Sequence, residues 1–228
     1  MRRSLIHGLL LSSLLVLPSS LNAEDPAVAP GTAKVKSQPG RLHRMYPPAI
    51  DAKAAGAEAI QLFDTNKDGK LSGEELDKCP GLKAAIDKVD QSSKGEITAD
   101  DIAARIKAWQ DSKLARMTMS CKVLHNGQPL AGAVVKFVPE KFLGKNVKAG
   151  TGKTDKNGIA MLSVPTVGRE PPGMAPGFYR VEITKEGEQI PAKYNTATIL
   201  GQEVAADAKG IMDMKGIKFN LEYESPGQ

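Results

Sequence analysis

A polar pattern of twelve residues occurs twice in this 228-residue chain, and the two copies start 26 residues apart. The first copy is DTNKDGKLSGEE at 64–75, and the second is DQSSKGEITADD at 90–101. Each begins with aspartate, has glycine at its sixth position and ends with a carboxylate, and apolar residues at helical spacing precede and follow it. The sequence therefore predicts a repeated unit of helix, loop and helix between residues 50 and 116.

The repeated unit resembles a pair of EF-hands. For the first loop, the resemblance implies a calcium ion bound by side-chain oxygens, one main-chain carbonyl and a final bidentate glutamate. The implied ligands are Asp64, Asn66, Asp68, the carbonyl of Lys70, Ser72 and Glu75. Gly69 is expected to make the sharp turn that a residue without Cβ adopts at low cost. The alternative is a solvated polar turn that binds no ion.

The second loop departs from the EF-hand pattern at two positions. Lys94 places a cation where an anion is expected, and Asp101 is one methylene shorter than the glutamate that binds through both oxygens. The candidate ligands of this loop are Asp90, Ser92, the carbonyl of Glu96, Thr98 and Asp101. We expect this site to be weak or empty, and we hypothesise that Lys94 holds Asp90 and Asp101 together in place of an ion.

Two further features bear on what such a pair does. Leu71 and Ile97 occupy the same position of the two loops and are predicted to form a short two-stranded contact. The helical region contains no methionine, whereas the grooves of calcium sensors are Met-rich, so structural calcium binding is favoured over sensing. The alternative is a groove built from Leu76, Leu82, Ile102, Ile106 and Trp109. We expect Trp109 to close the core instead.

The first 23 residues have the features of a secretory signal peptide. Arg2 and Arg3 precede an apolar run too short to span a bilayer, and the segment closes on Leu-Asn-Ala. We therefore expect export to the periplasm or the extracellular space. Twin-arginine export and retention of the segment as a membrane anchor are the alternatives. Residues 24–49, rich in proline, alanine and lysine, are predicted to form a flexible linker.

From Met117 onward, β-branched alternation and Gly/Pro turns replace the helical pattern. About seven short strands are expected, with turns at Asn126-Gly127 and at Asn157-Gly158. This spacing favours an antiparallel β-sandwich over residues 117–224, followed by a tail at 225–228. The predicted fold class is therefore α+β multidomain, with a helical pair at 50–116 and a sandwich after it.

The segments LHNGQPLAGAVVKFVPE, GKTDKNGIAMLSV, APGFYRVEITK and IPAKYNT resemble the transthyretin-like, carboxypeptidase regulatory-like domain of secreted bacterial proteins. The resemblance implies a fold and says almost nothing about function. The connection VPTVGREPPGMAPG, which contains Arg169, is the candidate binding loop of this domain. An ordinary inter-strand loop is the alternative.

Several function classes lack their signals. Cys79 and Cys121 stand alone, so they either pair in an oxidising compartment or remain unpaired thiols, and neither belongs to a metal-thiolate motif. The formal net charge of +5 includes Arg2 and Arg3, and the lysines are scattered among acids, so nucleic acid is not expected as a partner. The chain has no Gly-x-Ser-x-Gly, HExxH or phosphate-binding glycine loop, and we do not expect an enzyme.

These patterns favour an exported, non-catalytic calcium-binding protein with a structural or adhesive role and an envelope or extracellular protein partner. The alternative is a calcium-regulated binding protein whose β-sandwich takes a small ligand or peptide. From the sequence we also expect calcium to stabilise the helical pair alone, because the predicted sandwich has no comparable cluster of acids.

Overall fold

The computed structural model describes residues 46–165, 172–211 and 216–224. The predicted signal peptide, most of the predicted linker, Arg169 of the candidate binding loop and the tail predicted at 225–228 lie outside these residues. Within the described ranges, helices occupy the first part of the chain and strands the second, which is an α+β arrangement. None of the helices in these ranges is long and apolar enough to cross a membrane.

Five α-helices lie in the described residues, all of them before Met117. They are α1 (Ala52–Phe63), α2 (Gly73–Asp77), α3 (Pro80–Ala84), α4 (Ile86–Val89) and α5 (Ala99–Asp111). Asp51 caps α1 by accepting a hydrogen bond of 3.0 Å from the N–H of Ala54. The helical segment before the second loop is divided, because Ala85 between α3 and α4 has φ −100° and ψ 7°, outside helical geometry.

Strands β1 and β2 lie in the two loops, and eight more follow in the described residues. In chain order they are β1 (Lys70–Ser72), β2 (Glu96–Thr98), β3 (Met119–His125), β4 (Gln128–Pro129), β5 (Val134–Pro139), β6 (Gly150–Lys153), β7 (Ile159–Leu162), β8 (Gly177–Thr184), β9 (Gly201–Val204) and β10 (Ile217–Leu221). The first four-stranded sheet contains β3 with its neighbours β10, β4 and β7, and the second has the order β6-β5-β8-β9. Buried and exposed residues alternate along β5 and β10, as the sequence pattern indicates.

The last strand departs from the predicted antiparallel arrangement. β10 pairs with β3 in parallel, with Phe219 opposite Val123, whereas the other strand pairs of the described residues are antiparallel. Parallel strands need a long crossover, and here the connection from β3 to β10 contains every strand of the second sheet. Turn motifs in the sequence indicate only which neighbouring strands form hairpins, and they cannot indicate that a late strand pairs with an early one. The prediction that all strands are antiparallel is therefore wrong for the pair of β3 and β10.

The helical region packs against the second sheet with very close backbone contact. A Cβ atom on Gly201 of β9 would lie 1.8 Å from the carbonyl oxygen of Pro80. One on Gly81 would lie 2.7 Å from the backbone nitrogen of Tyr179 in β8. Because glycine has no Cβ, α3 approaches the main chain of both strands at these two positions.

Aromatic side chains fill the same junction. Trp109 of α5 is 3% exposed and packs edge-on against Phe178 of β8, with ring centroids 4.5 Å apart. This confirms Trp109 as a core residue and shows that its partner belongs to the sheet. Phe137 of β5 meets Phe219 of β10 with centroids 6.2 Å apart, so the two sheets face a common interior. One hydrophobic core extends through the helices and both sheets.

A buried ion-pair network joins α5 to β9. The Nε atom of Arg105 donates to Oε1 of Glu203 at 2.6 Å, and Trp109 donates to the same oxygen at 2.9 Å. The other guanidinium nitrogens donate to Asp207 at 2.8 and 2.7 Å. Burial raises the pKa of Glu203 despite these partners, and the hydrogen bonds and charges of Asp207 and Glu203 raise the pKa of Arg105 although burial alone would lower it.

Both cysteines are free and buried. Burial raises the pKa of Cys121 to about 12, and burial together with the charge of Glu140 raises the pKa of Cys79 well above its usual value. Of the two alternatives left open by the sequence, the structure contains the unpaired thiols. Both are protonated at neutral pH and therefore poor nucleophiles.

Candidate metal centre

The first loop begins where α1 ends, and the carboxylate of Asp64 organises its turn. Oδ1 of Asp64 accepts a hydrogen bond of 2.6 Å from the N–H of Lys67, and Oδ2 accepts one of 2.9 Å from the N–H of Gly69. Lys67 and Gly69 have φ of 63° and 82°, so the backbone turns through the left-handed region twice. A Cβ at Gly69 would meet no atom within 4 Å, so conformation rather than space requires glycine there.

The next two predicted ligands continue this turn. Oδ1 of Asn66 accepts from the N–H of Asp68 at 2.9 Å, and Oδ1 of Asp68 accepts from the N–H of Lys70 at 3.0 Å. The side-chain amide of Asn66 also donates to Oδ2 of Asp68 at 3.2 Å. Both side chains are therefore placed by the loop's own backbone on its exposed side.

Glu75, the last predicted ligand, is 5% exposed and closes the loop from the first turn of α2. Its Oε1 accepts from the N–H groups of Thr65 and Asn66 at 2.8 and 3.2 Å, and its Oε2 accepts from the N–H of Ser72 at 3.2 Å. The N–H of Thr65 is the largest of the causes that lower the pKa of Glu75. The carboxylate is thus ionised at neutral pH and joins both ends of the loop.

The residues present fit a calcium ion by their chemistry. All six predicted ligands offer oxygen atoms, which are the donors that calcium requires, and the turn at Gly69 has the backbone conformation of such a loop. Within the described residues, however, no three carboxylate, histidine or cysteine side chains converge closely enough to hold a metal. The oxygens of Glu75, like those of Asp64 and Asp68, accept hydrogen bonds from N–H groups of the loop. To bind an ion through both oxygens, Glu75 has to turn away from Thr65 and Asn66.

The second loop repeats the turn of the first position by position. Oδ1 of Asp90 accepts from the N–H groups of Ser92 and Ser93, both at 2.8 Å, and Oδ2 accepts from the N–H of Gly95 at 2.7 Å. Ser93 and Gly95 have φ of 58° and 78°, matching Lys67 and Gly69 of the first loop. The loop geometry is therefore kept although its ligand set is reduced.

The two loops differ at their last position. Oδ2 of Asp101 accepts from the N–H and the hydroxyl of Thr98 at 2.9 and 2.6 Å, which caps α5. Within the described residues it accepts no hydrogen bond from the start of the loop, in contrast to Glu75. The missing methylene, which the sequence had marked as a weakness, leaves the second loop open at its end.

No direct ion pair supports the hypothesis about Lys94, which stays a hypothesis. The side chain of Lys94 forms an ion pair with neither Asp90 nor Asp101, all three being described residues. Asp90 is satisfied by N–H groups and by the hydroxyl of Ser92, and Asp101 by Thr98. Both carboxylates therefore have neutral hydrogen-bond donors as direct partners.

The short contact predicted between the loops is confirmed. β1 and β2 pair antiparallel with Leu71 opposite Ile97, and both side chains are fully buried. Next to them, Nζ of Lys70 lies 2.8 Å from Oε2 of Glu96, and this hydrogen bond raises the pKa of Lys70. Sequence reasoning had not found this ion pair, although the 26-residue repeat places the two residues at equivalent positions.

The side chains available for a target groove are all buried. They are Leu76, Leu82, Ile102, Ile106 and Trp109, each between 0% and 3% exposed. The second sheet covers this face through β8 and β9, with Trp109 against Phe178. The covered face agrees with the preference for structural over sensing calcium binding.

A family model described as EF hand matches residues 57–80, which include α1 from its middle onward, the whole first loop and α2. No curated protein matches the chain. The matched segment carries an EF-hand motif, and this motif suggests calcium binding. The match ends before the second loop, whose Lys94 and Asp101 depart from the pattern.

Restoring both departures is expected to create a second calcium site. In a Lys94→Asp/Asp101→Glu variant, the fifth position gains an oxygen donor and the twelfth gains the reach that Glu75 has in the first loop. We expect calorimetric titration to give two calcium ions per chain, against one for the unchanged protein. Lys107→Asp, on the exposed part of α5, is the matched charge control. A stoichiometry of one in the double variant would show that the second loop fails for another reason.

Proposed function

We propose that the protein binds one structural calcium ion in the first loop. The single observation that supports this most is the arrangement of residues 64–75: oxygen-bearing side chains at EF-hand spacing are placed by the loop's own N–H groups around Gly69. When bound, the ion supplies positive charge that offsets the mutual repulsion of Asp64, Asp68 and Glu75. Asn66, Ser72 and the carbonyl of Lys70 complete the donor set.

The role of each side chain follows from its present contacts. Asp64 already has both oxygens positioned at the turn, so it binds with little rearrangement. Glu75 exchanges its bonds to Thr65 and Asn66 for the ion, and this exchange is the main adjustment that binding requires. Because β1 and β2 join the loops, the second loop supports the first even though it binds weakly or not at all.

The rest of the proposal concerns the setting of this site. We place the protein outside the cytoplasm, in the periplasm or extracellular space, on the strength of the signal-like residues 1–23. The two sheets after Met117 act, in this proposal, as a transthyretin-like β-sandwich and non-catalytic contact module for an envelope or extracellular protein. The order of the strands along the chain and the resemblance of the turn segments support the transthyretin-like part of this proposal.

Calcium stoichiometry tests the proposal. The unchanged protein is expected to bind one calcium ion by calorimetric titration, and an Asp64→Ala/Glu75→Gln variant none, because it loses the organising carboxylate and the bidentate ligand. Asp90→Ala/Asp101→Asn makes the same kind of change in the second loop and should leave the stoichiometry at one. Calcium binding that survives in the first-loop variant would contradict the proposal.

A further inference from the structure

A cavity of about 430 Å³ lies between the helical region and the second sheet. Phe63 at the end of α1 and Pro80 at the start of α3 form apolar parts of its wall, and Thr196 and Thr198 lie on the opposite side, between β8 and β9. The volume is in the range of sites for small molecules, and the lining is more polar than is usual for them, which suits a charged or hydroxylated molecule. Nothing in the calcium site uses this cavity.

Three basic side chains line the cavity: Lys78, Lys141 and Arg180. Within the described residues, neither Lys78 nor Lys141 forms an ion pair, and Arg180 makes only a long contact of 3.4 Å from its Nε to Glu182. Like charges that line one cavity repel each other and raise its affinity for an anion. The lining as a whole carries these three cations and two carboxylates, so it has a small excess of positive charge.

Two carboxylates also line the cavity, and neither neutralises these cations by direct pairing. Asp77 is already paired with Lys83. Glu140 is 3% exposed and accepts a hydrogen bond of 2.9 Å from the N–H of Gly81. Burial raises the pKa of Glu140, and the charges of Arg180 and Lys141 act against this rise, although among the described residues no direct ion pair joins Glu140 to either of them.

We propose that this cavity binds a small organic anion, a molecule of about monosaccharide size that carries a carboxylate or phosphate group. Lys78, Lys141 and Arg180 bind the anionic group, and Phe63 and Pro80 contact the apolar side of the molecule. The site is independent of the calcium ligands in its chemistry, although Lys78 follows Glu75 by three residues along the chain.

The test is calorimetric titration of the full-length protein with D-glucuronate, D-glucose 6-phosphate and D-glucose, in calcium and again in chelator. Saturable one-to-one binding of either anion, with no binding of glucose, supports the site and distinguishes carboxylate from phosphate. Absence of saturable binding for both anions, or equal binding of glucose, overturns it. Because calcium stoichiometry is measured separately, failure here leaves the calcium proposal untouched, and the reverse also holds.

Three variants locate the binding. Lys141→Gln/Arg180→Gln should weaken the anion about tenfold or more, the loss expected for hydrogen bonds to charged groups. Glu140→Gln should strengthen it, because a negative charge leaves the cavity wall while the oxygen that accepts from Gly81 remains. Lys218→Gln, on the other sheet, is the charge control and should leave affinity within about twofold. Equal weakening by Lys218→Gln and by the cavity variant would mean general charge attraction and would overturn the proposal.

Discussion

Arg105→Ala is expected to lower the free energy of unfolding by about 3 to 5 kcal/mol, the usual cost of removing one partner from a buried ion pair. Without the guanidinium, Glu203, which is 2% exposed, keeps only the indole N–H of Trp109 as a partner for Oε1, and its Oε2 already has none. Asp207 is half exposed and returns to water at little cost. The measurement is urea denaturation at neutral pH.

Two comparisons decide whether the loss comes from the ion pair. Lys107→Ala, on the exposed part of α5, removes a similar length of side chain and should change stability by about 0.5 kcal/mol or less. Arg105→Met/Glu203→Leu removes both charges and should recover much of the loss, because no buried carboxylate is left unpaired. If Arg105→Ala matches Lys107→Ala, the network contributes little and the argument is wrong.

Saturating calcium is expected to raise the midpoint temperature of a single cooperative thermal transition in which the helices and the sheets unfold together. Calcium at about 100 times its dissociation constant stabilises the unit that binds it by about 2.7 kcal/mol, which corresponds to roughly 5–10 °C for a unit of this size. From the sequence alone we expected only the helical pair to respond. The contacts of α3 with β8 and β9, and of Arg105 with Glu203, instead couple the helices to the second sheet.

Calorimetry in calcium and in chelator measures this shift, and the fluorescence of Trp109, the single tryptophan, reports the docking of α5 on Phe178. The calorimetric transition and the transition in Trp109 fluorescence should shift to higher temperature by the same amount in calcium. The Asp64→Ala/Glu75→Gln variant should show no shift, which ties the effect to the first loop. A second transition that stays at the same temperature in calcium would contradict the coupling and would support separately folding domains.

Local sequence patterns predicted those parts of the fold that local chemistry determines. The repeat predicted both loops and the pairing of Leu71 with Ile97. The Asn126-Gly127 pair predicted a hairpin turn, and both residues have positive φ, 48° and 82°. In each case residues close in sequence, or related by one fixed offset, carry the necessary conformational preference.

The parts of the fold and of the candidate site that the sequence did not predict depend on contacts made only in the folded chain. The neighbouring sequence does not indicate that Gly81 and Gly201 lie in close backbone contacts. The lack of a side chain is required only because α3 packs against β8 and β9 at these two residues. Arg105 shares the apolar helix face of Ile102, Ile106 and Trp109, but this spacing cannot name its partner, Glu203 of β9. The bonds of Glu75 to Thr65 and Asn66 depend on side-chain reach within a folded loop, so the sequence predicted a ligand and could not predict its present partners.

Among the strand pairs of the described residues, β3 with β10 joins the segments that are furthest apart in the sequence. Cys121 and its partner Ile217 are 96 residues apart in the sequence, whereas Leu71 and Ile97 in the loop pair are 26 residues apart. Contacts between distant segments form slowly, and an unpaired edge is prone to misassembly in the meantime. We therefore expect the contact between the two loops to form early in folding, and the edge of β3 that faces β10 to be paired late.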